Sequence, residues 1–173
     1  MIRLIAKYVI YFIFLVLLQV TVLNHINFMD HINPYLYILF ILALPFSVSK
    51  SGVLLLSFLM GFTIDMFVGT PGINTAATVF MGFLRNILLP FLEPRDNYEP
   101  GTHPSVAEYG WAWYMRYAII LVVLHHVALF FLDAFSMENS GTTLLYSLYS
   151  SVFTLILIIL SQSSTSKRTL LSE

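Results

Sequence analysis

The stretch GFTIDMFVGTPGIN, residues 61–74, closes one apolar run and opens the next. Asp65 falls inside the first of the two, with Gly61 four residues before it and Gly69 four residues after. Residues four apart share a helical face, so Ser57, Gly61, Asp65 and Gly69 form one stripe of small and polar side chains on an otherwise greasy helix. Two readings of that stripe are open. Small residues let helix backbones approach, and a carboxylate among them hydrogen-bonds to the neighbouring helix. Alternatively, a carboxylate at membrane depth is a proton or ion site. Asp65 lies four residues inside Gly69, about 6 Å below the helix end at 1.5 Å per residue. That depth is closer to the interface than to the midplane, which favours packing or partner contact over transport.

Composition places the stretch in lipid. Of 173 residues, 58% are hydrophobic and 10% charged, where a soluble domain carries about a quarter charged residues. So much apolar surface does not fit into one core of this size, and the solvent must be a bilayer. A net charge of −1 gives no reason to expect nucleic acid or an acidic substrate. The absence of cysteine excludes disulfides, thiol catalysis and thiolate metal sites.

Working outward, six apolar runs are legible, at about 8–23, 35–48, 52–68, 74–92, 115–135 and 142–161. They predict an all-α integral membrane protein with six transmembrane helices in a single polytopic domain, 1–173. The second and third runs are short, and the second contains Pro45. A re-entrant hairpin would place its tip, SVSKS at 47–51, at membrane depth. Burying Lys50 there costs about 2.5–3.5 kcal/mol, so two crossings are preferred. Arg3, Lys7, Lys50, Arg95, Arg116, Lys167 and Arg168 then fall on one side, and the loops 24–34, 69–73 and 136–141 on the other carry no Lys or Arg. The positive-inside rule makes both termini cytoplasmic. A signal peptide is the competing reading of the N-terminus, but QVTVLNHIN after the apolar core lacks a small-x-small cleavage site. An uncleaved first helix is expected. The longest loop, 93–114, holds Pro94, Pro100 and Pro104, which bar a long helix there. It ends in Tyr109, Trp111, Trp113 and Tyr114, a cluster suited to the membrane interface.

Few residues offer chemistry. Arg85 lies in the fourth run, nearer its cytoplasmic end, where a long side chain snorkels to the interface. On straight helices it is about 10 Å from Asp65 in depth, too far for a direct salt bridge. His125 and His126 fall mid-way along the fifth run. Adjacent helical residues point about 100° apart, so the pair does not share a metal easily. Hydrogen bonding and space filling are the expected roles. Asp133, near the outer end of the same run, is at a depth close to that of Asp65. Two carboxylates at one level share a proton or a polar cavity, or are ordinary interfacial groups. Ser147, Ser151 and Thr154 form a polar stripe of the kind that joins helices. His25 and His31, six apart in an outer loop, are a weak metal pair, and the echo of NHIN at 24–27 by DHIN at 30–33 is attributed to chance. The sequence has no phosphate-binding Gly-rich loop with Lys, no HExxH and no GxSxG. No enzyme, cofactor or metal centre is expected.

Three segments in order, INPYLYILFILALPF at 32–46, GFTIDMFVGTPGINTAATVFMGFLR at 61–85 and PRDNYEPGT at 94–102, resemble the rod shape-determining MreD family. The likeness runs from about Asn24 to Gln162 and rests on the ordered set, not on any one motif. It implies a non-enzymatic component of the bacterial inner membrane that scaffolds lateral wall elongation. The implied partners are an MreC-like bitopic protein, MreB, a RodA-type glycosyltransferase and its penicillin-binding transpeptidase, besides membrane lipid and without nucleic acid. It also implies the six-helix architecture of the substrate-binding subunits of vitamin transporters, which keeps a small-molecule carrier as the alternative. Within the resemblance, the Gly61 and Asp65 segment is a family-like feature of unknown role. Gly61, Asp65, Gly69, Arg85, His125, His126 and Asp133 are the candidate intramembrane or partner-binding residues.

Overall fold

The computed structural model describes residues 2–25, 33–94, 98–99, 101–135 and 139–170, with side chains described between residues 5 and 163. Its helices are α1 (Ile2–Thr21), α2 (Leu39–Leu42), α3 (Lys50–Val68), α4 (Ile73–Phe91), α5 (Val106–Ala134) and α6 (Ser140–Leu170), and no strand occurs among the described residues. Short 3-10 turns follow α1 at Leu23–His25 and precede α2 at Leu36–Ile38. Four segments are long and apolar enough to cross a membrane: Ile5–His25, Lys50–Val68, Val106–Ala134 and Ser140–Ser163. The protein is a multi-pass membrane protein.

The helices bury polar groups beside an apolar core and turn large apolar side chains outward. On α3, Ser57, Gly61 and Asp65 are buried while Leu55, Phe62 and Met66 are exposed. On α4, Asn74, Thr78, Gly82 and Arg85 face inward, and Phe80, Phe83, Ile87 and Phe91 face outward. That inward polar face explains why α4 is not among the four most apolar segments, although its 19 residues extend about 28 Å. Apolar side chains cost nothing in contact with lipid tails, so the interior is free to carry the polar groups.

α3 packs chiefly on α4, α4 on α5, and α5 on α6. The α3–α4 approach is close because both contact lines are small. A Cβ at Gly61 would lie 2.5 Å from the Thr75 Cα, and one at Gly82 would collide with the Ser57 hydroxyl. The turn between them uses Gly69 (φ 77°) to end α3 and Gly72 (φ 85°) to begin α4, left-handed conformations that a side chain would strain.

Two expectations are corrected. The second run does not form a transmembrane helix over 35–48. It is a 3-10 turn and four α-helical residues between Pro34 and Pro45, with Tyr37 to Leu42 wholly buried. Tyr35 packs on Phe130 near one end of α5, and Phe46 packs on Trp113 near the other. The segment therefore runs along about 25 Å of α5 as irregular backbone sheathed by protein, a setting in which such backbone is tolerated at membrane depth. The second correction concerns the loop 93–114. The helix resumes directly after Pro104, with Ser105 accepting from the Glu108 N–H at 3.3 Å. Ser105-Val-Ala-Glu108 is a capping-box signal in the sequence. Gly110 (φ 74°, ψ 168°) kinks the helix one turn later. α6 likewise runs past residue 161, to Leu170.

Candidate functional site

Asp65 closes the α3–α4 hairpin by capping the first turn of the next helix. Its Oδ1 accepts from the Asn74 N–H and the Asn74 Nδ2, each at 3.0 Å, and from the Thr70 hydroxyl. Its Oδ2 accepts from the Thr75 N–H at 2.8 Å and the Thr75 hydroxyl at 2.5 Å. The first N–H groups of α4 have no intrahelical acceptor, and Gly72 at the cap position has no side chain to offer one. A carboxylate from the neighbouring helix fills that role, where it also meets the positive end of the α4 dipole.

Arg85 does not reach Asp65. It is 1% exposed, and it donates from Nη2 to the Leu44 carbonyl at 2.6 Å and from Nε to the Tyr117 hydroxyl at 2.9 Å. Tyr117 donates onward to the Leu42 carbonyl at 3.2 Å, and Tyr8 to that of Ala43 at 3.4 Å. These are the carbonyls left open where α2 stops. The opposite end of the segment is held by Gln19. Its Oε1 accepts from the Leu36 and Tyr37 N–H groups at 2.8 and 3.3 Å, and its Nε2 donates to the Pro34 carbonyl at 3.0 Å. The Tyr35 N–H goes to Thr154 of α6 at 3.0 Å. The broken second segment is thus capped at both ends by side chains of α1, α4, α5 and α6. Sequence reasoning passed over Gln19 and Tyr117. The amide of Gln19 inside an apolar run was the available signal.

The chain matches no family model, no curated protein and no solved structure. The roles of its residues therefore rest on its own geometry.

His125 and His126 are both fully buried, with ring centroids 5.3 Å apart, and they diverge as the helical angle requires. The Nδ1 of His126 donates to the Val122 carbonyl at 2.8 Å, and its Nε2 lies 3.0 Å from the Thr154 hydroxyl. The Nε2 of His125 lies 3.2 Å from the Tyr37 hydroxyl, which donates to the Asn74 Oδ1 at 3.1 Å. Asn74 in turn donates to Asp65, so His125 and Asp65 are joined by a continuous chain of hydrogen bonds through Tyr37 and Asn74. The Nδ1 of His125 is buried without a partner.

Asp133 is separate. It is exposed and lines two adjoining crevices at the end of the bundle near Asn24, shared with Asn33 and Tyr35. Ser147 and Ser151 bond within α6, to the carbonyls of Leu144 and Ser147. His31 lies outside the described residues. At the other end of the bundle the aromatic cluster stacks Phe46 on Tyr98, with Trp113 at 6.2 Å. Trp113 and Tyr98 each donate, at 2.7 Å, to carbonyls at the end of α4, those of Leu92 and Leu89.

Proposed function

We propose that the protein is a non-enzymatic scaffold of the bacterial wall-elongation machinery, of the kind the MreD resemblance implies. It would sit in the inner membrane with both termini cytoplasmic and hold an MreC-like protein and the wall synthases in register. The observation that supports this reading is what the buried polar groups do. Asp65, Arg85, Gln19 and Tyr117 all bond to backbone ends within the protein. They fix the shape of an irregular bundle, and shape is what a scaffold presents. Crosslinking in intact membranes, followed by capture of the tagged protein, should recover wall-synthesis proteins. Recovery of an ATPase module in their place would contradict the reading.

A small-molecule carrier subunit is the second reading, favoured by the crevices around Asp133. They measure about 240 and 270 Å³ and are lined by amides, hydroxyls and one carboxylate together with apolar side chains such as Phe130, Ile73 and Leu129. A carrier would bind its ligand there, and Asp133→Ala would abolish uptake without altering cell shape.

A further inference from the structure

Arg85 lines a cavity of about 180 Å³ together with Lys50, Asn86, Glu93, Tyr98 and Phe46. Its two observed acceptors are a carbonyl and a phenol, both neutral. A buried charge with only neutral partners is costly, because hydrogen bonds alone do not replace the lost hydration. Lys50 adds a second positive charge to the same cavity, and Glu93 supplies one negative charge against the two. Asn86 is tied to this wall by donating to the Lys50 carbonyl at 3.2 Å. The cavity has about six times the 30 Å³ share of one water molecule, room for a phosphate and its first linking atoms. Its remaining walls, Phe46, Val48, Leu89 and Pro90, are apolar.

We propose that this cavity holds the phosphate of an acidic phospholipid, with Arg85 and Lys50 as the cationic pair and the acyl chains leaving along the apolar wall. Basic pockets between helices at the cytoplasmic side are where such headgroups are recognised. Arg85 has its Nε and Nη2 engaged within the fold, so it offers its charge and its remaining N–H donors, and Lys50 adds a mobile point charge. The ligand neutralises Arg85 while Arg85 continues to hold the Leu44 carbonyl, so lipid binding and the fold of the second segment reinforce each other.

The test measures thermal unfolding of the purified protein in neutral detergent, titrated with phosphatidylglycerol, phosphatidylcholine or inorganic phosphate. Phosphatidylglycerol should raise the midpoint saturably and phosphatidylcholine should not. Lys50→Gln, whose ammonium is exposed and makes no hydrogen bond in the fold, should keep the unliganded midpoint and weaken the titration about fivefold. Arg85→Gln should lose the response, and Lys50→Gln keeps the test decisive if that variant fails to fold. Equal protection by inorganic phosphate would support the anion site and assign it to a soluble phosphate in place of lipid. Equal protection by both lipids, or an unchanged titration for Lys50→Gln, would overturn the proposal.

Discussion

Asp65 accepts five hydrogen bonds, two of them from backbone N–H groups that would otherwise be orphaned. Asparagine keeps one accepting oxygen and turns an amide against the donors on the other side. Asp65→Asn should therefore lower stability by about 1 kcal/mol, in the range of a lost cap. Asp65→Leu leaves every donor unmet and should cost about 3 kcal/mol. Unfolding in detergent measures both, and an Asp65→Leu variant as stable as wild type would rule out the cap. The sequence put Asp65 on a contact face through its spacing with Gly61, and that much was legible. It did not show that the partner would be the backbone of the next helix, because a cap supplied from another helix has no fixed spacing. The empty cap position at Gly72 was the only local trace. The Tyr37 link between Asp65 and His125 was hidden for the same reason, since it comes from a segment 28 residues earlier than Asp65.

The second segment shows how an element can be replaced by its surroundings. The fourteen-residue apolar run at 35–48 predicts a helix from hydropathy, yet prolines at 34 and 45 and the caps from four other helices favour a short, broken form. Tyr117→Phe removes the donor to the Leu42 carbonyl and the acceptor for Arg85 together. It should cost about 2 kcal/mol, against a negligible loss if the segment were an ordinary self-satisfied helix. The α3–α4 contact makes a second prediction. Gly61→Ala forces the helices apart and should destabilise by about 1–3 kcal/mol, whereas Gly141→Ala, with open space at its Cβ, should be neutral. Equal melting of the two variants would contradict the close approach. The hairpin was readable from GFTIDMFVGTPGIN because small-residue spacing and glycine turns are local signals. The early start of α5 was missed because three prolines outweighed the Ser105 and Glu108 capping pair that follows them.

Across the whole molecule, Lys7 lies in one pocket with His103 and Gln162, and Lys50 in another with Glu93 and Tyr98, at one end of the bundle. Asn24, Thr70 and Asp133 meet at the other. The positive-inside rule predicts that the basic end is cytoplasmic. A reporter active only in the periplasm should be silent when fused after Glu173 and active when inserted between Gly69 and Gly72, and the reverse pattern would invert the topology. Hydropathy and helical spacing carried the four long spans, being averages over many residues. They carried little of the site, because the polar groups work through contacts between segments distant in sequence. The scaffold reading is a statement about the cell, and depletion in a rod-shaped host tests it most directly. Cells losing the protein should become round and wide while wall-precursor synthesis continues, and a supplied nutrient should not restore them. Depleted cells that stay rod-shaped, with growth rescued by a nutrient, would contradict it.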